Sequence, residues 1–401
     1  MIIHQAYQFK LKPTAEQEQL FRQYCGAVRW VYNHMLAQRS AALQAGQNAP
    51  TTNEQIKQLP LLKRQSETAW LREPHSQVLQ DAVLNLDDAF ARFFKKKSRF
   101  PRFKKKHGNR QSFSFPQSVQ VNGNWVFLPK IGWVAFRRSP KRNRYREIVG
   151  TIKQATIRHK ASGWYVSIVT QQEGADPKAV EITQTNSVGL DLGSIDLVTT
   201  SAGMKYPNPR YYRKTESKLQ RTQRKLSRKQ KGSNNYHKQR QRVARLHEKI
   251  ANRRLDTLHK LSRQLVDENQ AIFCEDLNAR GIAKRMGKSV GDAAWGEFVR
   301  QLKYKTKWRG KTCVQVDRWF ASSQICSGCG HQNTDLKLSE RIWKCPRCGR
   351  LHDRDFNAAI NLHDEGLKYV AAGLSETLNA CGETVRLSQS ARLAEARISR
   401  L

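Results

Sequence analysis

Apolar residues recur at helical spacing along much of the first hundred positions, and the period then shortens to two. After the extended start "YQFKLKP", Thr14 and Gln17 stand at capping-box spacing with Pro13 just outside. Leu20, Tyr24, Val28, Val31 and Met35 then follow three or four residues apart. This predicts a strand and a long helix. More helix is expected from about Asn53, and "SQVLQDAVLNLDDAFARFF" is amphipathic. From Ser112 to about Thr170, the segments "SFSF", "VQVNGNWVFLP", "GWVAFR", "IVGTIKQATIR" and "GWYVSIVT" read as strands parted by glycine-containing turns. They predict a small antiparallel barrel, which the N-terminal strand could join.

"EGADPKAVEITQTN" reads as a linker, and a second region opens at "SVGLDLGSIDLVTTSAGMKY": strand, tight turn, strand, turn, strand. A basic helical hairpin over residues 208–265 follows, broken at "KGSNN". A narrow apolar stripe of Val243, Leu246, Ile250, Leu258, Leu261 and Leu265 runs along it. "QAIFCEDLN" predicts a buried strand, "AAWGEFVRQLKYKTKWRG" a helix, "KTCVQVDRWF" a strand and "DRDFNAAINL" a helix. The fold class is therefore α+β and multidomain, and the tail beyond about Leu374 carries no pattern.

Charge narrows the partners. The 401 residues hold 72 Lys and Arg against 33 Asp and Glu, a formal +39, an excess best tolerated beside a polyanion. Nucleic acid leads and an acidic membrane surface follows, but no run of about 18 apolar residues predicts a span. The N-terminus lacks a signal-peptide pattern, and cysteines mostly scattered or paired do not suggest a secreted disulfide framework. Two stretches concentrate the charge. Residues 92–106 hold nine basic side chains, no acid and four phenylalanines, and residues 205–260 hold 19 bases against three acids. Both read as phosphate tracks, with phenylalanines available for stacking.

Two motifs carry chemistry. Cys326-x-x-Cys329 and Cys345-x-x-Cys348 lie 15 residues apart, each followed by glycine. Four thiolates close a tetrahedral shell, which implies a structural Zn²⁺, with His331 and His352 spare. Three acids stand where a strand ends or a helix begins: Asp191 in "GLDLG", Glu275 in "AIFCED" and Asp355 in "DFNAAIN". Singly, each has a structural reading as a strand-end acid, a solvated acid or a helix cap. As a set on the first strand, the fourth strand and a following helix, they have the layout of RNase H-like nucleases. There carboxylates hold two divalent ions roughly 4 Å apart, and hard oxygen ligands suit Mg²⁺ or Mn²⁺. Asp353 competes with Asp355, about 200° away if both are helical. Asp355 is preferred because Ala358, Ala359 and Leu362 then let the helix lie close on the sheet. Asp196, Asp276 and Asp317 read as structural.

The segments "KPTAEQEQLFRQYCGAVRWVYNHML", "FPRFKKK", "VGLDLGSIDLVT", "FCEDLN", "AAWGEFVRQLKYKTKWRGK", "SSQICSGCG", "IWKCPRCG" and "HDRDFNAAINL" together resemble the TnpB (OrfB) family, relatives of type V CRISPR effector nucleases. The resemblance covers nearly the whole chain, and Ala321 stands where proline is usual. It implies an RNA-guided DNA endonuclease encoded by a transposable element, with a transposon-derived guide RNA and target double-stranded DNA as partners. An element-encoded transposase acting on the same element is a further implied partner. It also implies a bacterial or archaeal cytoplasmic setting. The family's catalytic acids fall on Asp191, Glu275 and Asp355, and its zinc ligands on Cys326, Cys329, Cys345 and Cys348. The implied domains are a wedge barrel of residues 1–12 and 107–180 carrying a helical recognition insert, 13–106, and a RuvC-like nuclease of residues 181–320 and 351–373. A zinc ribbon, 321–350, interrupts that nuclease, and a tail, 374–401, ends the chain. Gln80 is a candidate base contact in a target-flanking motif, and Lys95, Lys96, Lys97, Arg102, Lys104 and Lys105 are candidate phosphate contacts. A strand-joining transposase and a non-catalytic nucleic-acid-binding regulator are the competing readings. A Holliday-junction resolvase ranks below both.

Overall fold

The computed structural model describes residues 1–106, 111–137, 147–174, 180–337 and 339–373, except the side chains of residues 280, 283, 285 and 286. The chain divides into two compact units, Met1–Ala175 and Asp176–Leu401. The tail at 374–401 lies outside the described residues.

In the first unit, β1 (Ile2–Lys12) leads into α1 (Ala15–Gln44). The helix starts where the sequence places it. Thr14 Oγ1 accepts from the Gln17 amide (3.2 Å), and Gln17 Oε1 accepts from the Thr14 amide (3.1 Å), so two N–H groups that lack intrahelical partners are satisfied. Next come α2 (Thr52–Arg64), a 3-10 turn and α3 (Ser76–Phe94). Buried Arg39 ties the three helices: its guanidinium donates to Gln55 Oε1 (2.9 Å), Asp87 Oδ1 (3.1 Å) and Thr52 Oγ1 (3.0 Å). A cation this deep is tolerable only with its hydrogen bonds made.

The strands β2 (Ser112–Phe115), β3 (Gln120–Asn122), β4 (Trp125–Leu128), β5 (Gly132–Arg137), β6 (Thr151–Lys160) and β7 (Gly163–Glu173) complete a seven-stranded antiparallel sheet. Its order is β2-β6-β7-β1-β5-β4-β3. The N-terminal strand joins at the centre, paired with β7 on one side and β5 on the other. Closure into a barrel is not made by these ladders. The end strands β2 and β3, four and three residues long, do not pair with each other among the described residues. Phe21 and Tyr24 of α1 meet Phe113 of β2, and Phe21 also meets Trp164 of β7, which seats the helix on the sheet.

The second unit is built on a five-stranded mixed sheet. Its strands are β8 (Ser187–Asp191), β9 (Asp196–Thr200), β10 (Lys205–Pro207), β11 (Ala271–Glu275) and β12 (Thr312–Val316), in the order β10-β9-β8-β11-β12. β8 and β9 pair antiparallel, whereas β8, β11 and β12 run parallel. Between β10 and β11 stands the basic hairpin of α4 (Tyr211–Ser227) and α5 (Asn234–Glu268). Buried Asp292 anchors it, accepting from the amides of Tyr212 (2.8 Å) and Arg213 (3.2 Å) at the start of α4 and pairing with Arg254 of α5 (3.4 Å). Between β11 and β12 run α6 (Ala279–Ala293) and α7 (Trp295–Trp308). The period argument passed over α6, whose three glycines weaken any helical pattern.

Strand alternation sends side chains to two faces. Val188, Leu190, Ile272, Cys274 and Cys313 pack with Leu258 and Leu265 of α5 and Phe298 and Leu302 of α7. Ala271, Phe273 and Val314 face the other way, toward Leu367 and Val370 of α8 (Arg354–Ala371). That helix lies unusually close. A Cβ on Gly189 would collide with the Ala359 carbonyl and the His363 backbone, and one on Gly366 with the Phe273 ring. Burying Phe273 completely contributes about 1.5–3 kcal/mol. Ser187 Oγ donates to the Thr183 carbonyl (2.6 Å) and can accept from His363 Nε2 (2.8 Å), a polar stitch inside this contact. Because backbone blocks the added methyl, Gly189→Ala should lower stability by about 1–3 kcal/mol. Urea unfolding should show this as a lower midpoint at an unchanged slope.

Candidate active site and metal centre

β8 and β11 bring two acids side by side. Gly189 is opposite Phe273 and Leu190 opposite Cys274, so Asp191 and Glu275 end the two strands at matching positions. Each stands two residues beyond a residue that faces α8, so both share that face. α8 begins at the same edge. Asp353, the last residue of its preceding strand, is the N-cap: Oδ1 accepts from the Phe356 amide (3.0 Å) and Oδ2 pairs with Lys205 (2.7 Å). Asp355 lies in the first turn. Cap and first-turn acid are therefore separate residues, and the acid whose charge reaches Asp191 is Asp355.

The electrostatics are those of crowded carboxylates. Burial pushes Asp191 well above the ordinary value, and the charges of Glu275 and Asp355 push it further. Arg341 and Arg354 oppose the rise. Glu275 is also raised by burial, offset by the Ser322 hydroxyl, which donates to Oε1 (2.7 Å). Burial alone would raise Asp353, but Lys205 and the Phe356 amide outweigh it and hold that carboxyl below the ordinary range. Arg341 Nη1 reaches Asp355 Oδ1 (3.0 Å). Asp191 thus lies within reach of the charges of both Glu275 and Asp355. Glu275 and Asp355 lean on Ser322 and Arg341.

The cysteines are gathered tightly: the sulfurs of Cys326, Cys329, Cys345 and Cys348 all lie within 4.8 Å of one another. Each pair forms a matching turn. The Gly330 amide donates to the Cys326 carbonyl, and the Gly349 amide to the Cys345 carbonyl, both at 2.9 Å. The two glycines adopt φ of 72° and 74°, a left-handed backbone that a side chain would strain. A hairpin of β13 (Ile342–Lys344) and β14 (Leu351–Asp353) carries the second pair, with Trp343 and Leu336 packed beneath. A closed all-sulfur set fits a structural metal ion. His352 Nε2 lies 3.0 Å from Cys326 Sγ, a contact to one sulfur rather than a fifth corner.

α8 fastens this insert to the sheet. Asn357 Nδ2 donates to the Ile325 carbonyl (2.7 Å), and its Oδ1 accepts from the Ser327 amide (2.9 Å). Asn361, one turn on, donates to the carbonyls of Ser322 (2.7 Å) and Ile325 (2.6 Å). Arg354 is buried and donates to Lys337 O (2.7 Å) and Ser323 Oγ (3.1 Å). Sequence reasoning missed these three residues. For Asn357 and Asn361 the signal was two asparagines four apart on a helix otherwise small and apolar where it meets the sheet; Arg354 carried none. The insert thus meets the carboxylates through Ser322, ahead of the first knuckle, and Arg341, just before the hairpin that carries the second.

The candidate nucleic-acid contacts sit in the first unit. Gln80 is half-buried on α3, and Lys95, Lys96, Lys97, Arg102, Lys104 and Lys105 are exposed. Lys95 closes α3 and Lys96 turns left-handed (φ 55°), ending the helix sharply. Asn33 pins the far end of the segment, its side chain bonded to both the amide (2.8 Å) and the carbonyl (3.0 Å) of Lys104. Lys104 Nζ rests 3.7 Å from the centre of the Tyr32 ring, so its charge is partly engaged.

A mixed sheet that collects acids at its strand ends, interrupted by an insert whose four thiolates could hold a metal ion, defines an α/β architecture. Residues 167–286 match the OrfB_IS605 family, described as "Probable transposase". Residues 295–362 match the Cas12f1-like TNB domain, and residues 1–48 a helix-turn-helix domain of OrfB_IS605, here a strand and one long helix. A "Putative RNA-guided DNA endonuclease" of Streptomyces pristinaespiralis is 37% identical over 391 residues, covering 96% of this chain and 92% of that protein. InsQ of Escherichia coli K12, with the same description, is 35% identical over 401 residues, 95% of each chain. A solved complex of Cas12f1 with sgRNA and target DNA shares the fold, with a TM-score of 0.56 at 13% identity over 90% of this chain and 99% of that one. The chain belongs to the TnpB (OrfB) family.

The raised Asp191 sets a pH dependence. Folded, it keeps its proton above the ordinary value of 3.8. Between that value and its raised one the folded chain binds more protons than the unfolded chain, so this group's contribution to stability falls as pH rises. In metal-free protein at neutral pH, Asp191→Asn should therefore raise the melting temperature by a few degrees and flatten its fall with pH, read by calorimetry across a pH series.

Proposed function

We propose that this chain is an RNA-guided DNA endonuclease encoded by a transposable element, and that Asp191, Glu275 and Asp355 form its single hydrolytic site. The observation that carries this reading is the convergence of the three acids, two by strand register and one by the close seating of α8, in a chain of this family. The second unit would be an RNase H-like, RuvC-like nuclease, with residues 321–350 a zinc ribbon inside it. The first unit would be the wedge and recognition region, engaging a guide RNA and the motif flanking the target. Among the described residues no helix is long and apolar enough to cross a membrane.

The three acids suit hard divalent cations, and Mg²⁺ or Mn²⁺ held there would activate water and stabilise the departing oxygen. The chain's own residues prepare the site. Ser322 orients Glu275, and Arg341 neutralises Asp355 and eases the repulsion on Asp191. The exposed basic residues of 92–106 and of the α4–α5 hairpin supply charge for polynucleotide phosphates. Four thiolates suit Zn²⁺, which would hold the insert in shape and with it Ser322 and Arg341.

Protein purified from cells carrying its own element should bring down a defined RNA and cut duplex DNA matching that RNA. Asp191→Ala should reduce cutting by at least about a thousandfold and leave RNA and target binding unchanged. Strand joining at transposon ends without RNA would favour the "Probable transposase" description instead. Metal analysis should find one zinc per chain, and Cys345→Ser should lose it together with protection of residues 321–350 from protease.

A further inference from the structure

Trp319 is the most exposed large apolar side chain among the described residues, at 87% of its full accessibility. It lies on the short turn between β12 and the first knuckle. Exposing an indole this fully forgoes a large hydrophobic gain, and Trp pays off at a surface chiefly where a partner covers it.

The turn is not loose. Trp319's amide donates to Asp317 Oδ1 (2.8 Å), and the Phe320 amide to the Asp317 carbonyl (3.1 Å). Arg318 is clamped to Asp276, donating to its carboxylate (2.6 Å) and its carbonyl (3.1 Å). Both ends of the turn are tied to the neighbourhood of Glu275. On the entering side, the Asp276 amide donates to the Val316 carbonyl (3.2 Å). On the leaving side, Ser322 donates to Glu275 itself (2.7 Å), and Asn361 of α8 holds the Ser322 carbonyl (2.7 Å). Trp319 therefore stands three residues from each tether, on a braced turn at the rim of the carboxylate site.

We infer that Trp319 is a stacking platform for an unpaired base of the DNA strand being cut, and so fixes the position of the scissile phosphate over the three acids. Aromatic stacking takes any base by its face, which suits an enzyme whose target sequence is set elsewhere. It also demands an unpaired base, and the strand displaced when the guide pairs with the other is unpaired. Trp319 is thus a positioning residue that acts on the substrate without touching the reacting bond. This rests on the guided-nuclease reading above.

The test uses full-length protein with its co-purified RNA and a target duplex carrying a fluorescent adenine analogue at successive positions of the cut strand. Binding is read in the Asp191→Ala background and cleavage in the active protein. Quenching should appear at one or two positions beside the cut, persist in Trp319→Phe, and vanish in Trp319→Ala and Trp319→Leu. Cleavage should fall about tenfold in the Ala and Leu variants, mainly through KM, and stay near the parent value in Trp319→Phe. RNA binding and zinc content should not change, since the ring packs on little. Equal cleavage and equal quenching in all variants would overturn the inference while leaving the nuclease reading intact. Loss of self-association with cleavage and quenching unchanged would also overturn it, marking the ring as a protein contact. No guided cleavage by the parent protein would overturn the nuclease reading and this inference with it.

Discussion

The near contact between α8 and strands β8 and β11 governs the second unit. Gly189 leaves room for the helix backbone at Ala359 and His363, and Gly366 leaves room for the Phe273 ring. With the helix seated so low, its first turn arrives at the strand ends, and the charge of Asp355 there reaches Asp191. Closer packing brings more dispersion contact and apolar burial. It also imposes like-charge repulsion at one corner, seen in the raised Asp191. A site that would be relieved by cations is thus built by the same contact that stabilises the sheet.

The thiolate knuckles are fastened to that corner from both ends. Asn357 and Asn361 hold the backbone of the first knuckle, and Arg354 holds the segment before the hairpin. Side-chain amides at one-turn spacing satisfy loop carbonyls that would otherwise be buried without partners. The α8 helix therefore works on two fronts: small and apolar residues meet the sheet, and polar residues meet the insert. Ser322 and Arg341 carry this connection to Glu275 and Asp355, so order in the insert becomes order among the acids.

Positive charge is distributed differently in the two units. In the first it gathers on the segment after α3, braced by Asn33. In the second it covers the α4–α5 hairpin, which buried Asp292 helps to anchor. Both places pair a rigid apolar or polar anchor with flexible basic side chains, which keeps the charge in water and available.

Much of this was legible in the residues themselves. Strand and helix periods, the Thr14–Gln17 capping box and the paired cysteines are local: each depends on neighbours a few positions away, and the structure places them as read. The central position of β1 and the order of the seven-stranded sheet were not local and did not appear, and the glycines of α6 diluted a pattern that is local. The preference for Asp355 over Asp353 rested on Ala358, Ala359 and Leu362, but the role of Asp353 as N-cap did not appear, since helical spacing cannot say where a helix starts when the preceding residue is a strand end. Tertiary structure decided which acids meet, because convergence depends on a register shared by β8 and β11 and on how deeply a third element can settle. It also decided the tasks of Asn357, Asn361 and Arg354, whose partners lie up to 39 residues away along the chain. Sequence fixes short-range chemistry through covalent spacing. Long-range chemistry waits on packing, where one missing methyl group at Gly189 sets the distance.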